Sequence, residues 1–267
     1  MNQFEFAFVG IGNMGGALAN AVRKSVCAKS MVLADADAEK ARALAKTLDC
    51  TALAAEDAVK NARFVVLGVK PQVLPQLAQQ LKPVLCEQPG VTLISMAAGT
   101  SIEQIRSLFG ALPVIRIMPN TPVLLGKGVV QYATKDVSEE NERAFAQAFS
   151  AVGVLDAVDE KLIDAGSAVF GCGPAFVYEF IQAMADGGVL CGLPRDKALL
   201  YAAQTVQGAA AMVLQSGKHP GELKDAVCSP GGTTIAGVRA LEQGAFHAAA
   251  MDAVIAAYEK TLELGKK

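Results

Sequence analysis

A short apolar run at the start of the chain leads straight into a glycine-rich turn. Phe4–Val9 has the composition of a buried strand, GIGNMGGA follows it, and Leu18–Val22 continues as an alanine-rich helical stretch. In a strand–turn–helix unit of this kind, Gly10 permits the tight turn, Gly12 leaves room for a pyrophosphate, and Gly15 lets the helix pack closely on the strand. The free amides at the helix start then favour an anion. The stretch predicts a dinucleotide-binding fold.

An acidic residue stands at the end of the next predicted strand. Met31–Ala34 is apolar and is followed by Asp35, which lies 20 residues after Gly15. An acid at this distance often binds the hydroxyl groups of an adenosine ribose. A second interpretation is open, in which Asp35 or Asp37 caps the helix that begins near Ala38.

Strand-like and helical segments continue to alternate up to about residue 160. Helices are predicted over 38–48 and 138–149. Strands are predicted at Phe64–Val69, Val91–Ser95, Pro113–Ile117, Gly128–Ala133 as an edge strand, and Val152–Leu155 as a last short strand. Such a series predicts a mostly parallel sheet with right-handed crossovers, whose ligands lie beyond the carboxyl ends of the strands. The turns GIGNMG, VKP, MAAG and MPNTP are therefore expected to border one crevice.

The second half of the chain has a helical pattern and very little polar surface. Helices are predicted at Pro174–Leu190, Arg195–Leu214 and Phe246–Leu264. Because a helix that is apolar nearly all round must be buried, and few helices are present to bury it, a partner subunit is expected to cover them. A two-fold dimer is the commonest solution. The fold class is therefore α/β, with a mostly parallel sheet domain over 1–160 followed by an all-α dimerisation and substrate domain over 161–267.

Composition excludes several classes of function. The formal net charge is only -2, which gives no electrostatic reason to bind nucleic acid or an anionic membrane. The sequence contains no uninterrupted apolar run of the ~20 residues that span a bilayer, so a soluble, cytoplasmic protein is expected. Six scattered cysteines without a CxxC pair indicate reduced thiols, and two distant histidines offer no zinc spacing, so no metal is expected.

A second glycine-rich stretch, CSPGGTTIAG, lies near the end of the chain. Gly231 and Gly232 follow Ser229-Pro230 and precede a predicted helix that stops at Gly244. The amides of Gly232 and the residues after it are then unpaired within the helix and would suit a small carboxylate. An ordinary helix start with a glycine turn explains the same residues, and physical reasoning alone leaves both interpretations open.

The segment Gly217–Thr234, which reads GKHPGELKDAVCSPGGTT, resembles the signature of pyrroline-5-carboxylate reductases. The GIGNMG, VKP and MPNTP turns also match that family in order and spacing. The resemblance implies reduction of the cyclic imine 1-pyrroline-5-carboxylate to proline, the last step of proline biosynthesis, with NADPH and often with NADH. It also implies a Rossmann-type domain followed by a helical dimerisation domain, in homodimers that some members gather into rings.

The resemblance also implies roles for individual residues. The amides of Gly232, Thr233 and Thr234 would hold the substrate carboxylate, with Ser229 and Gly231 in the same substrate-binding turn. The Thr234 hydroxyl would lie near the ring nitrogen and act as the catalytic group. The cofactor-binding residues would be Gly10, Gly12, Asn13, Met14, Asp35, Val69, Lys70, Pro71, Ala97, Ala98 and Asn120.

Position 35 departs from the small hydroxyl residue that the family often has there. A carboxylate would repel a 2′-phosphate, which favours tolerance of NADH, and Lys40 or Arg42 is a candidate to offset it. Two other functions stay open on the sequence alone: another imine or keto-acid reductase on the same fold, and a non-catalytic protein that senses NAD(P). The second glycine-rich turn counts against a sensor, because a sensor needs no second anion site.

Overall fold

The computed structural model describes residues 3–88 and 90–265. Their contacts divide them into two compact units: the first runs to Gly171 and takes in the chain from Tyr258 onward, and the second is Cys172–Ala257. The domains 1–160 and 161–267 remain a prediction. The contact-based units differ from them in that residues 161–171 and the end of the last helix belong to the sheet unit.

The first unit is built on an eight-stranded sheet. The strands are β1 (Phe4–Val9), β2 (Met31–Ala34), β3 (Thr51–Ala52), β4 (Ala62–Leu67), β5 (Thr92–Ser95), β6 (Val114–Pro119), β7 (Gly128–Lys135) and β8 (Gly153–Ala157). Their order is β3-β2-β1-β4-β5-β6-β7-β8, and every neighbouring pair is parallel except β6 and β7. The mostly parallel sheet that the sequence predicted is confirmed.

The expectation of an edge strand at Gly128–Ala133 was wrong. That strand, β7, runs antiparallel to β6 and pairs on its other side with β8. The edge is β8, whose Gly153 lies opposite Gly128. A Cβ atom built on Gly153 would lie 2.3 Å from the Gly128 carbonyl oxygen, so β8 approaches β7 too closely there for any side chain. The local sequence contains no signal of this pairing, because partner strands are chosen by tertiary packing.

Helices cover both faces of the sheet. They are α1 (Asn13–Val22), α2 (Ala38–Leu48), α3 (Ala55–Val59), α4 (Leu74–Cys86), α5 (Ile102–Phe109), α6 (Glu139–Ala148) and α7 (Glu160–Gly166). Alternate residues of β1 point to opposite sides. Phe6 and Phe8 pack in one core cluster with α1, α2 and α6, whereas Ala7 and Val9 pack in the other with α3, α4 and α5.

A buried ion cluster attaches α7 to the sheet. The Arg116 guanidinium, on β6, donates to Glu160 Oε1 at 3.1 Å and to Asp164 Oδ1 at 2.6 Å. The same Glu160 oxygen accepts the amide of Ile102 at 2.7 Å, which is the first residue of α5. Arg116 is almost fully buried, so its charge requires these partners. The chain then passes through a π-helical turn, Ser167–Gly171.

The second unit is entirely helical. It comprises α8 (Gly173–Leu190), α9 (Arg195–Ser216), α10 (Pro220–Ala226), α11 (Thr233–Gln243) and the first part of α12 (Phe246–Gly265). Its described hydrophobic core consists of three alanines, Ala185, Ala198 and Ala202. Large apolar side chains such as Leu190 and Leu214 are exposed. One chain therefore leaves most of the apolar surface of this unit uncovered.

One stretch in the described part of the chain passes a length-and-composition test for a membrane span. It is the helical stretch Glu160–Leu190, whose most apolar window has a mean hydropathy of 1.2 and is 11% buried. Such a test cannot separate a span from an apolar helix that another protein surface covers.

Candidate functional site

Three glycines meet at the carboxyl end of β1. Gly10 has φ +88, which favours glycine, and its amide donates to the Ala34 carbonyl at 2.8 Å. A Cβ atom built on either Gly15 or Gly68 would lie 2.1 Å from the Gly10 carbonyl oxygen. Gly15 thus brings α1 against the turn, as the spacing predicted, and Gly68 does the same from the end of β4. The sequence analysis assigned no role to Gly68, which it placed inside the predicted strand Phe64–Val69, whereas β4 ends at Leu67.

The start of α1 is open in front of Gly12. A Cβ atom built on Gly12 would meet nothing within 4 Å. Gly12 is the N-cap residue, so no side chain satisfies the first amides, and the first turn contains no acidic residue. Asn13 and Met14 form that first turn. Unpaired amides, the positive end of the helix and free space together fit the pyrophosphate of a dinucleotide.

The two acidic residues after β2 have different roles. Asp37 caps α2, because its carboxylate accepts the amides of Glu39 and Lys40, both at 3.1 Å. Asp35 does not cap the helix. Its Oδ2 accepts the amide of Ile11 at 2.8 Å and its Oδ1 accepts the amide of Asp37 at 3.0 Å. The capping alternative therefore holds for Asp37 and not for Asp35, which holds the glycine turn instead.

A pocket of about 890 Å³ opens at the carboxyl ends of β1, β2 and β4. Four predicted cofactor-binding residues line it, namely Gly10, Asp35, Val69 and Lys70. Pro71 follows as the first residue of a short 3₁₀ turn, Pro71–Val73. This location is the one that ligands take in parallel α/β sheets.

Four side chains that line this pocket carry charge: Asp35, Arg42, Glu56 and Lys70. Arg42 is paired with Glu39 on the same helix. The Gln80 amide donates to Glu56 at 2.7 Å and thereby lowers the pKa of that carboxyl.

The MAAG turn lies at the end of β5. Ala97 is buried and Ala98 is exposed. The turn also contains Gly99, at φ +65, and a Cβ atom built on it would lie 3.3 Å from the amide nitrogen of Gly265 at the end of α12.

Asn120, which the resemblance places by the nicotinamide, has both ends of its side chain engaged. Its Nδ2 donates to the Phe170 carbonyl at 2.9 Å, and its Oδ1 accepts the amide of Val129 at 2.9 Å. The side chain thus joins the MPNTP loop to β7 and to the π-helical turn. The contact with Phe170 spans 50 residues of sequence, so local sequence reasoning could not predict this role of the side chain.

The SPGGTT turn precedes α11 in the second unit. Gly231 has φ +65, and the Gly232 amide donates to the Ser229 carbonyl at 3.0 Å. A Cβ atom built on Gly232 would lie 2.3 Å from Ser229 Oγ. Gly232 caps α11 without a side chain, and Thr233 and Thr234 are exposed. The geometry of the turn accounts for a glycine at both positions. It also leaves the first amides of α11 without a hydrogen bond from an N-cap side chain.

Within 3–88 and 90–265, no group of three or more His, Cys, Asp or Glu side chains is placed to hold a metal. All six cysteines are free.

Known proteins match this chain over nearly its whole length. A reductase named pyrroline-5-carboxylate reductase from Pisum sativum is 40% identical over 98% of this chain and 97% of its own. One of the same name from Methanosarcina acetivorans is 39% identical over the full length of both chains. The chain belongs to the pyrroline-5-carboxylate reductase family. The family resemblance read from SPGGTT and the glycine turns is confirmed, and so is the reductase class of function that it implied.

Family models and a solved structure agree. The model described as pyrroline-5-carboxylate reductase dimerisation matches residues 160–264, and the one described as NADP oxidoreductase, coenzyme F420-dependent, matches residues 5–99. A Plasmodium falciparum pyrroline carboxylate reductase, solved with NADP bound, superposes with a TM-score of 0.88 at 30% identity over 99% of both chains. The α/β fold followed by a helical region is confirmed.

Proposed function

We propose that this chain reduces 1-pyrroline-5-carboxylate to proline with a nicotinamide dinucleotide. The observation that carries the proposal is the full-length similarity to pyrroline-5-carboxylate reductases, at 39–40% identity, with both glycine-rich turns present. This function needs two anion sites, one for a pyrophosphate and one for the carboxylate of a small substrate. The chain offers a helix start without an N-cap side chain at Gly12 and another at Gly232.

The first site would hold the cofactor in the sheet unit. The amides after Gly12, at Asn13 and Met14, would bind the pyrophosphate. Val69, Lys70 and Pro71 would follow the adenosine side, and the MAAG turn at Ala97 and Ala98 would lie by the nicotinamide. The bound cofactor supplies the hydride. Because the Asn120 side chain is already hydrogen-bonded at both ends, we assign it to positioning the MPNTP loop, and any contact with the cofactor would come from its backbone.

The second site would hold the substrate carboxylate at the start of α11. Gly231 and Ser229 shape the turn. Because the Gly232 amide already donates to the Ser229 carbonyl, the amides of Thr233 and Thr234 are the ones that would bind the carboxylate. The hydroxyl of Thr234 would orient the ring nitrogen by accepting or donating one hydrogen bond. A threonine hydroxyl is a weak acid at neutral pH, so orientation is its main contribution and solvent supplies the proton.

Reduction of this imine requires few catalytic groups beyond those that position the two reactants. A protonated imine is already a strong electrophile, so no lysine or metal is required to activate it. Holding the two reactants in the correct geometry is worth about 7–11 kcal/mol in favourable cases. Proline formation therefore fits a site made mainly of backbone amides.

Removal of the Thr234 hydroxyl tests this assignment. We expect Thr234→Ala to lower kcat by about tenfold or more, while Thr234→Ser retains most of the activity because it keeps the hydroxyl. Dinucleotide affinity, measured by fluorescence titration, is expected to stay within about twofold in both variants. Equal turnover by Thr234→Ala and the unmodified protein would remove Thr234 from the mechanism.

A substrate panel tests the reaction itself. Nicotinamide absorbance is followed with 1-pyrroline-5-carboxylate, a different cyclic imine and an open-chain keto acid, with NADH and with NADPH. We expect turnover with the first compound and formation of proline. Turnover only with the keto acid would indicate a different class of reductase. Dinucleotide binding without turnover of any of these compounds would indicate a sensor.

We also assign the exposed apolar surface of the second unit to a second copy of this chain. The matching family model describes a dimerisation region over 160–264, which includes all of Glu160–Leu190. A cytoplasmic homodimer, with or without further assembly into rings, accounts for this surface without a membrane. Sedimentation in detergent-free buffer is expected to give at least a dimer. A monodisperse monomer, or protein that stays in solution only with detergent, would contradict the assignment.

A further inference from the structure

Asp35 is held rigidly at the wall of the pocket that we assign to the adenosine end of the cofactor. One of its oxygens accepts the Ile11 amide at 2.8 Å and the other accepts the Asp37 amide at 3.0 Å. Two backbone donors fix the carboxylate, so it cannot swing away from a ligand at low cost. Each carboxylate oxygen has two lone-pair sites, and each therefore keeps one for a further donor.

The lining of this pocket contains as many carboxylates as cations. Arg42 also lines the pocket, but its guanidinium is paired with Glu39. Lys70 lines the pocket as well, and so does a second carboxylate, Glu56. The four charged groups of the lining thus cancel one another. A 2′-phosphate, which carries a charge near -2 at neutral pH, would enter a pocket without a net positive charge.

We propose that Asp35 is a specificity-determining residue, which accepts the ribose hydroxyl groups of NADH and excludes the 2′-phosphate of NADPH. The inference rests on the proposed function for its cofactor site. It departs from the NADPH that the family resemblance implied. The two ribose hydroxyls donate hydrogen bonds to a carboxylate, whereas a phosphate offers only negatively charged acceptors to it.

The size of the preference follows from the charges. A dianionic phosphate about 5 Å from a fixed carboxylate loses roughly tenfold in affinity even at the dielectric constant of water, and more where protein walls exclude water. We therefore expect a Kd for NADPH at least about tenfold above that for NADH.

The test compares dissociation constants, so it does not depend on catalysis. Fluorescence titrations measure both reduced dinucleotides, and calorimetry measures ADP-ribose against its 2′-phosphorylated form. Asp35→Asn removes the charge and keeps the shape, and Asp35→Ser makes room as well. Either substitution disturbs the hydrogen bond with the Ile11 amide and is expected to weaken the binding of both dinucleotides. A loss of affinity that is equal for both cancels in the ratio of the two dissociation constants.

Asp49→Asn is the matched control. It removes the same charge from an exposed position at the other end of α2, about 16 Å along the helix, and asparagine tolerates the left-handed backbone of that position. We expect the NADPH/NADH ratio of dissociation constants to fall about tenfold or more in both Asp35 variants and to stay within twofold in Asp49→Asn.

Each outcome bears on the inference. A protein that binds NADPH as tightly as NADH, or a ratio unchanged in folded Asp35→Asn and Asp35→Ser, overturns it. A preference for NADH that Asp35→Asn abolishes supports it, whether or not the protein reduces the imine. Turnover of the imine without any cofactor preference would refute the role of Asp35 and leave the proposed function intact.

Discussion

Gly12 and Gly15 belong to one glycine turn, but the structure predicts opposite consequences for their replacement by alanine. A Cβ atom at Gly12 meets nothing within 4 Å, and φ at this position is -58, which alanine adopts readily. Alanine is a poorer N-cap than glycine by roughly 0.5–1 kcal/mol. Gly12→Ala should therefore fold and lose no more than about 1 kcal/mol of stability.

The same methyl group should weaken the dinucleotide. It would project into the space in front of the α1 amides, where the pyrophosphate is proposed to bind. Hydrogen bonds to a charged group are worth about 1.5–3 kcal/mol each. The loss of a single one raises Kd by roughly 10- to 100-fold.

Gly15→Ala is the contrasting variant. Its Cβ atom would lie 2.1 Å from the Gly10 carbonyl oxygen, and backbone atoms cannot move aside cheaply. Overpacking of this kind costs about 1–3 kcal/mol or more. For a chain of this size each kcal/mol lowers Tm by roughly 2–4 °C. We therefore expect a Tm lower by about 2–12 °C.

Thermal melts and dinucleotide titrations of both variants provide the assay. The expected pattern is a normal Tm with a weakened cofactor for Gly12→Ala, and a lowered Tm for Gly15→Ala. If Gly12→Ala bound the dinucleotide within twofold of the unmodified protein, the pyrophosphate would not lie at this turn. If Gly12→Ala melted as low as Gly15→Ala, the argument from open space would be wrong.

Two further predictions concern the sheet unit. Arg116→Ala should lower the free energy of unfolding, measured in urea, by about 2–3 kcal/mol, because it leaves the partly buried carboxylates of Glu160 and Asp164 without their cation. A loss below about 0.5 kcal/mol would mean that the cluster is well solvated. Burial raises the pKa of the Tyr132 phenol, and the Glu142 carboxylate raises it further. The neutral phenol therefore contributes its full stabilisation of the folded state below the ordinary tyrosine pKa of about 10. That contribution is lost as the pH rises through the higher pKa of the folded state. Tyr132→Phe should remove that part of the loss of stability as pH rises above about 10, and an unchanged alkaline profile would refute the argument.

Local signals predicted the first strands and their helix well. The apolar runs Phe4–Val9 and Met31–Ala34 are β1 and β2 with the same bounds, and α2 covers the predicted 38–48. Each of these elements has a clear local cause: a continuous apolar run for a buried parallel strand, and Asp37 as the cap of α2.

The features that sequence reasoning missed depend on distant partners. The two-residue strand β3 is too short to have a pattern, and it exists because Thr51 lies opposite Val32 of β2. Gly68 matters only because the Gly10 carbonyl lies against it. In the same way, the side-chain contacts of Asn120 with Phe170 and Val129 join residues that are distant in sequence, so no local pattern indicates them.

The central claim is that two helix starts, at Gly12 and at Gly232, bind the two anions of one reaction. A crystal structure of the protein with NADH and a non-reducible carboxylate analogue of the substrate tests it most directly. The account predicts density for the pyrophosphate against the amides that follow Gly12, and density for the carboxylate within hydrogen-bond distance of the amides of Thr233 and Thr234. A dinucleotide bound elsewhere, or an analogue bound away from the SPGGTT turn, would contradict it.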